Sequence, residues 1–229
     1  MTADYTLIEY RNRDTLALQL AEQVAGALSD RIAEQGRARL AVPGGTTPGP
    51  MLTRLGRTTL DWERVVITLT DERWVPVSSP RSNQRLLSET LFAGAAAAAR
   101  FVPLYAATQD PADGLDSVIA GLGNDALPLD IAVLGMGADM HTASLFPGAL
   151  GLDAALAPDA PPAVAITAPG AEEPRVTLSA RVLAEAGARH ILITGAEKRA
   201  ALERAQSLSD PQEAPVLAVL SGATVHFAD

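Results

Sequence analysis

One short segment constrains the fold more than any other: residues 65–70 read Val-Val-Ile-Thr-Leu-Thr. β-Branched and apolar residues of this kind favour a strand, and the run does not alternate between polar and apolar positions. Strands that are buried on both faces show this continuous pattern, and they are typical of parallel sheets covered by helices. The segment therefore predicts a parallel sheet at the centre of the molecule.

Similar short apolar runs recur along the chain, with helical patterns between most of them. The further strand candidates are residues 39–42, 101–104, 131–134, 190–194 and 224–227. The helical patterns cover residues 14–34, 48–55, 116–121, 178–186 and 197–207, and another helix is expected to begin near Ser82 and Asn83. This alternation predicts an α/β fold with a doubly wound, mostly parallel sheet and helices on both faces. The length of 229 residues suits a single domain over residues 1–229.

Two local features accompany these patterns. In the first helix, Asp14 is the expected N-terminal cap and Gly36 the expected stop. The Pro- and Ala-rich stretch 157–174 lacks a helical or strand period and is expected to be a surface loop.

Composition excludes several classes of protein. The chain has no cysteine, so disulfides, thiolate metal sites and cysteine nucleophiles are absent, and its three histidines lack the spacing of metal ligands. With 18 basic and 27 acidic residues the net charge is −9, which disfavours a nucleic-acid partner. No apolar run is long enough to span a bilayer, and the first residues do not resemble a signal peptide. We therefore expect a cytoplasmic protein without a membrane partner or a metal.

Parallel sheets bind ligands at the carboxyl ends of their strands, so the residues after each strand candidate are of interest. Strand 39–42 is followed by Gly44, Gly45, Thr46 and Thr47. Glycines let the backbone approach a ligand closely, and backbone N–H groups and hydroxyls can hold an anion. The spacing matches neither the dinucleotide fingerprint nor the P-loop. A plain tight turn explains the segment about as well as a phosphate site.

Strand 65–70 is followed by Asp71, Glu72, Arg73 and Trp74. Arg73 can clamp a phosphate or carboxylate, and Asp71 can act as a base or bind sugar hydroxyls. An internal salt bridge at the strand end is the alternative, and Trp74 is more consistent with packing.

Strand 131–134 leads into a glycine-rich segment that contains Asp139, His141 and Ser144. A histidine in such a loop, two residues after an aspartate, is a candidate for acid–base chemistry. Because no Gly-x-Ser-x-Gly elbow surrounds Ser144, we assign that serine to capping or packing.

The last two segments of interest contain Arg175 and Lys198. Lys198 follows strand 190–194 in the first turn of a helix, where it can reach a bound anion, although a solvated lysine is the simpler explanation. Thr177 and Ser179 can cap the helix that follows Arg175.

Taken together and in this order, the segments resemble the 6-phosphogluconolactonase family. The family pattern combines Gly-Gly-Ser/Thr-Thr-Pro, Asp-Glu-Arg-x-Val-Pro with a downstream Ser-Asn, Leu-Gly-x-Gly-x-Asp-Gly-His-Thr-Ala-Ser-Leu-Phe-Pro, Arg-x-Thr-Leu and a late Gly-x-x-Lys. The matching residues here are 44–48, 71–76, 82–83, 134–147, 175–178 and 195–198, so the resemblance spans most of the chain. One position departs from the pattern, since Met140 stands where the family has glycine.

The resemblance implies a fold like that of ribose-5-phosphate isomerase and the glucosamine-6-phosphate deaminases. It also implies hydrolysis of 6-phospho-D-glucono-1,5-lactone to 6-phosphogluconate without a cofactor. In that reaction His141 is the expected general base, with Asp139 as its partner and Asp71 as a further catalytic carboxylate. The expected substrate- and phosphate-binding residues are Gly44, Gly45, Thr46, Thr47, Arg73, Asn83, Arg175 and Lys198.

Two alternatives remain open from the sequence. A sugar-phosphate isomerase or deaminase shares the fold, but the deaminases carry Ile-Ala-Phe-Asn-Glu-Pro after the histidine, where this chain has Thr-Ala-Ser-Leu-Phe-Pro at 142–147. A non-catalytic sugar-phosphate sensor would need a partner domain, for which the chain has no spare length. If residue 140 has a positive φ, Met140 is strained, and glycine there should preserve both activity and stability.

Overall fold

A computed structural model describes residues 3–229, and ten strands and eight α-helices lie within them. In chain order the strands are β1 (Thr6–Glu9), β2 (Ala38–Val42), β3 (Val65–Leu69), β4 (Asp71–Arg73), β5 (Arg100–Val102), β6 (Ile131–Gly135), β7 (Ala163–Ile166), β8 (Arg175–Leu178), β9 (Ala188–Thr194) and β10 (Thr224–Ala228). The helices are α1 (Arg13–Gln35), α2 (Gly49–Leu55), α3 (Asn83–Glu89), α4 (Pro111–Gly121), α5 (Leu152–Leu156), α6 (Ala180–Ala184), α7 (Ala196–Leu208) and α8 (Leu217–Leu220).

Seven strands form one sheet in the order β1-β10-β9-β6-β2-β3-β5, and every neighbouring pair is parallel. All five residues of β2 are buried, and because successive side chains point to opposite faces, both faces of the sheet must be covered. The sequence prediction of a doubly wound α/β fold, with a mostly parallel sheet and helices on both faces, is confirmed. No helix in residues 3–229 has both the length and the apolar character needed to cross a membrane.

Of the two local predictions for helix α1, one is confirmed and one is wrong. Gly36 ends the helix with φ 76°, as predicted, because glycine adopts the left-handed conformation without a steric cost. The predicted N-terminal cap was wrong. Asn12 caps the helix instead of Asp14, and its side-chain oxygen accepts a 2.8 Å hydrogen bond from the backbone N–H of Thr15.

A second, antiparallel sheet of three strands was not predicted. Its order is β4-β8-β7, so the charged segment Asp71–Arg73 pairs with Arg175–Leu178, and β7 lies inside the stretch expected to be a surface loop. Leu178 ends a strand rather than beginning a helix, and α6 is shorter than predicted. These strands have only three or four residues, and β4 pairs with β8 about a hundred positions away, so no local period marks them in the sequence.

The topology determines where a ligand can bind. From β2 the chain continues outward to β3 and β5, whereas from β6 it continues in the opposite direction to β9 and β10. The strand order therefore reverses between β2 and β6, and such a switch point opens a crevice at the carboxyl ends of the strands. The small sheet starts directly after β3 and forms one side of this crevice.

Candidate active site

A cleft of about 260 Å³ lies at the switch point. It is lined by Gly44, Gly45, Thr46, Thr47, Asp71, Arg73, Asn83, Gly137, His141, Arg175 and Lys198, with apolar residues between them. The structure thus brings together every site residue expected from the sequence except Asp139, which borders a neighbouring depression and reaches the cleft through His141.

The Gly-Gly loop after β2 requires its first glycine for space. A Cβ atom on Gly44 would lie 1.9 Å from the side-chain oxygen of Asn83. Gly45 has φ 91°, a conformation that favours glycine. Asn83 is itself buried, and its amide donates a 2.8 Å hydrogen bond to the backbone carbonyl of Asp71. Asn83 is therefore held to β4 and packs closely against Gly44, and the loop lines the cleft.

The adjacent carboxylates Asp71 and Glu72 have different surroundings. Glu72 is buried and accepts hydrogen bonds from the backbone N–H groups of Arg73, Asn83 and Gln84. Burial raises the pKa of Glu72, and these hydrogen bonds oppose the rise. Glu72 thus anchors the start of α3 and points away from ligand chemistry, whereas Asp71 lines the cleft.

Asp71 belongs to a buried polar cluster. Its Oδ2 atom accepts a 2.6 Å hydrogen bond from the hydroxyl of Ser144 and lies 4.0 Å from Nη1 of Arg175. The backbone N–H of Ser144 donates to Thr177, which stands opposite Asp71 in the small sheet. Thr177 therefore does not cap a helix as predicted. Ser144 is buried, as expected for packing, but its contact with Asp71 was missed because no motif marks it.

Arg73 and Arg175 stand opposite each other in β4 and β8, and both face the cleft. Arg73 donates a 2.5 Å hydrogen bond to the carbonyl of Arg81, and Arg175 lies 5.1 Å above the ring of Phe146. Within the described residues, the buried Nε atom of each arginine has no hydrogen-bond partner. Burial lowers the pKa of Arg175, while Asp71 opposes that shift. The two guanidinium groups therefore retain capacity to bind an anion.

His141 and Asp139 form a close pair in the loop after β6. The Nδ1 atom of His141 lies 2.5 Å from the Asp139 carboxylate, and the imidazole ring packs 4.2 Å from the ring of Phe146. A Cβ atom on Gly137 would overlap the His141 ring, so a larger residue there would displace the imidazole from this position. Burial raises the pKa of Asp139, but hydrogen bonding and charge from His141 outweigh it, and the net pKa is lowered.

Met140 has φ 68°, so the positive φ considered from the sequence is present. Hydrogen bonds hold this conformation: the Met140 N–H donates to the carbonyl of Gly137, and the Met140 carbonyl accepts from Val216. The Met140 side chain is also buried, at 7% exposure, so its packing opposes the backbone strain.

Lys198 completes the site from the first turn of α7. Burial lowers the pKa of Lys198, and the negative charges of Asp139 and Glu197 oppose this shift. Together with Arg73 and Arg175 it gives the cleft three cationic side chains, while His141 and Asp139 supply an acid–base pair on the loop after β6. The arrangement is suited to binding an anionic substrate and activating water against it.

This fold and site define a family. The family model for "Glucosamine-6-phosphate isomerases/6-phosphogluconolactonase" matches residues 11–227, and the chain belongs to that family. Among its relatives, the 6-phosphogluconolactonase of Rhizobium meliloti is 43% identical, with 92% of this chain and 91% of the relative covered. That of Pseudomonas aeruginosa is 41% identical, with 91% and 88% covered. The crystal structure of a 6-phosphogluconolactonase from Shewanella baltica superposes with a TM-score of 0.96 at 32% identity and covers both chains completely.

Proposed function

We propose that this protein is a lactone hydrolase that converts 6-phospho-D-glucono-1,5-lactone to 6-phospho-D-gluconate in the pentose phosphate pathway. The observation that carries this proposal is the His141–Asp139 pair, 2.5 Å apart, beside a cleft lined by three cationic side chains. The names of the relatives, over nearly the full chain, support the same activity. A δ-lactone is an activated ester, so a base for water and donors for the developing oxyanion are sufficient for hydrolysis.

His141 is the proposed general base. Its Nδ1 is engaged with Asp139, which leaves Nε2 to take a proton from water as the water oxygen bonds to C1 of the lactone. When the tetrahedral intermediate breaks its bond between C1 and the ring oxygen, the same proton passes to that oxygen and produces a hydroxyl group. Asp139 orients the imidazole and balances its positive charge while the proton is held.

The substrate carries negative charge at the phosphate and develops more at the C1 oxygen. We assign these charges jointly to Arg73, Arg175, Lys198 and the loop containing Gly44, Gly45, Thr46 and Thr47. Asn83 supports that loop, and Asp71 contributes a negative charge beside Arg175. The proposed substrate and product are charged metabolites that do not cross membranes freely. We place the enzyme in the cytoplasm and expect no membrane partner, and the net charge of −9 disfavours a nucleic-acid partner.

The proposal is tested by following acid release from enzymatically generated 6-phosphogluconolactone, with unphosphorylated gluconolactone as the matched substrate. We expect rapid hydrolysis of the phosphorylated lactone and poor hydrolysis of the other, because the cationic side chains then lack their anion. Activity should persist in EDTA, since the proposed chemistry uses no metal. Equal rates on the two lactones, or ammonia release from glucosamine 6-phosphate in place of acid release, would overturn the proposal.

A further inference from the structure

The contacts of Asp71 raise a question that the proposed reaction leaves open. Its carboxylate lies in a cleft with Arg175, yet the two groups do not form a close ion pair, since Nη1 and Oδ2 remain 4.0 Å apart. Both side chains are largely removed from water, with exposures of 9% for Asp71 and 13% for Arg175. Opposite charges in such surroundings attract more strongly than at the surface. Another contact of the carboxylate oxygen must therefore keep it away from the guanidinium.

The hydroxyl of Ser144 makes that contact, a hydrogen bond to the carboxylate oxygen. Ser144 is fully buried, and its Oγ donates to Oδ2 of Asp71 at 2.6 Å, a short distance typical of a hydroxyl bound to a charged carboxylate. The other carboxylate oxygen accepts from Thr70 at 3.2 Å. Each oxygen of Asp71 thus has a hydroxyl partner, and neither needs the guanidinium of Arg175 as a donor.

Arg175 in turn remains available to a ligand. Its buried Nε atom has no partner within residues 3–229, and its guanidinium rests on the ring of Phe146, which also packs against His141. Loss of the Ser144 hydroxyl would leave Oδ2 of Asp71 without a donor. A movement of Arg175 by little more than 1 Å would satisfy both groups, at roughly a normal hydrogen-bond distance, and withdraw the guanidinium from the cleft.

We propose that Ser144 is a positioning residue that keeps Arg175 free to bind the substrate anion by occupying the carboxylate of Asp71. This inference rests on the proposed function. Ser144 also stands three residues after His141, and its backbone N–H is fixed to Thr177 in the small sheet. One residue thereby joins the loop of the general base to the strand that presents Arg175. Asp71 then acts through its neighbours rather than on the substrate.

The test compares Ser144→Ala with Ser179→Ala. Ser179 is a matched control because it is equally buried and its hydroxyl has no hydrogen-bond partner among the described residues. In Ser144→Ala, KM for the lactone and Kd for 6-phosphogluconate should each rise at least ~5-fold, with kcat within about 3-fold of wild type. Ser179→Ala should change neither constant by more than about 2-fold.

A second substitution separates positioning from general loosening of the fold. In the double variant Ser144→Ala with Asp71→Asn, the charge that captures Arg175 is gone, so KM should return towards the wild-type value. A merely structural role predicts that the double variant is worse than either single change. If Ser144→Ala does not fold, Ser144→Cys retains a similar volume with a weaker donor and should raise KM above the wild-type value; an unchanged KM would overturn the inference.

The outcomes distinguish this inference from the proposed function. If the wild-type protein shows no acid release, the function fails, but calorimetric titration with 6-phosphogluconate still compares the availability of Arg175 in the two serine variants. An unchanged KM and Kd in folded Ser144→Ala, or no recovery in the double variant, would overturn the role of Ser144 while leaving the lactonase activity in place.

Discussion

The three histidines occupy two contrasting environments. His141 lies at the carboxyl end of the sheet, with its side chain 30% exposed and a carboxylate 2.5 Å from Nδ1. His226 is fully buried in β10, where Nδ1 lies 2.7 Å from the Tyr10 hydroxyl and Nε2 lies 3.0 Å from Nδ1 of His190. The imidazole therefore meets a charged partner and solvent in His141, and two neutral hydrogen-bond partners in His226.

These surroundings determine which histidine is suited to proton transfer. In the proposed mechanism the Asp139 carboxylate stabilises the imidazolium formed when His141 takes a proton, as the orienting carboxylate does in hydrolase triads. Burial, together with the neighbouring His190, lowers the pKa of His226 to about 3, so this ring stays neutral near neutral pH. A neutral His226 fits both hydrogen bonds: the Tyr10 hydroxyl donates to Nδ1, and the Nε2–H group donates to Nδ1 of His190. We therefore assign chemistry to His141 and structure to His226.

The largest expected effect comes from removing the proposed base. His141→Asn should lower kcat by ~10²–10⁴ while the Kd for 6-phosphogluconate and the melting temperature change little. The lost interaction belongs to the transition state, so ground-state binding is retained. Steady-state kinetics, calorimetry and thermal melting on the same preparation measure all three quantities.

His226→Gln is the matched control for that variant. It should keep kcat per folded molecule near the wild-type value and lower the melting temperature, because its neutral contacts with Tyr10 and His190 are disturbed. A near-wild-type kcat in folded His141→Asn would contradict the assignment of chemistry to His141, and Asp139 or Asp71 would then be the candidate base.

The next effect concerns the cationic side chains that line the cleft with His141. Lys198→Ala and Arg73→Ala should each reduce kcat/KM for the phosphorylated lactone by at least ~10-fold, the loss expected for a charge-assisted contact of about 1.5–3 kcal/mol. Arg64→Ala is the control, because that arginine is exposed and pairs with Asp61 outside the cleft. If all three variants behave alike, the cleft does not bind the substrate through these charges.

A smaller effect concerns the buried His226 and the dependence of protein stability on pH. Because the folded pKa of His226 is depressed, the unfolded chain binds a proton below pH ~6.5 that the folded protein excludes. The contribution of His226 to stability is therefore complete above pH ~6.5 and is lost as the pH falls towards 3. Melting temperatures across this range should fall more steeply in the wild type than in His226→Gln. Parallel curves would contradict the assignment of a neutral, buried His226.

The smallest effect is expected at Met140. Glycine would relieve the positive φ by roughly 1 kcal/mol but would remove a buried side chain whose loss costs about 2–5 kcal/mol. From the sequence alone we expected no loss of stability, and burial changes this expectation to a modest fall in melting temperature. Activity should stay within about 3-fold of wild type, since the backbone geometry is retained. A rise in melting temperature would show that strain outweighs packing at this position.

Sequence reasoning succeeded where the physical cause is local. The uninterrupted apolar run Val65–Leu69 indicated a strand buried on both faces, and Gly36 marked a helix end. The order of short motifs along the chain indicated the residues that line the cleft, because the carboxyl ends of parallel strands converge at one edge.

Sequence reasoning fell short where the cause is a contact between distant segments. The strand Asp71–Arg73 exists because it pairs with Arg175–Leu178, and the hydroxyl of Ser144 has a role only because Asp71 folds against it. The crowding at Gly44 and Gly137 likewise could not be predicted from the sequence, since it comes from the side chains of Asn83 and His141. In each case the partner is known only once the sheets are assembled.

The central claim, that His141 takes a proton from water as the lactone is attacked, is tested most directly by a solvent isotope measurement. Single-turnover hydrolysis of 6-phosphogluconolactone by the wild-type protein is followed in H₂O and in D₂O, within the range where the rate does not depend on pH. The rate constant should be lower in D₂O, and this isotope effect should be lost in the residual activity of His141→Asn. Equal rate constants in the two solvents for the wild type would contradict the claim.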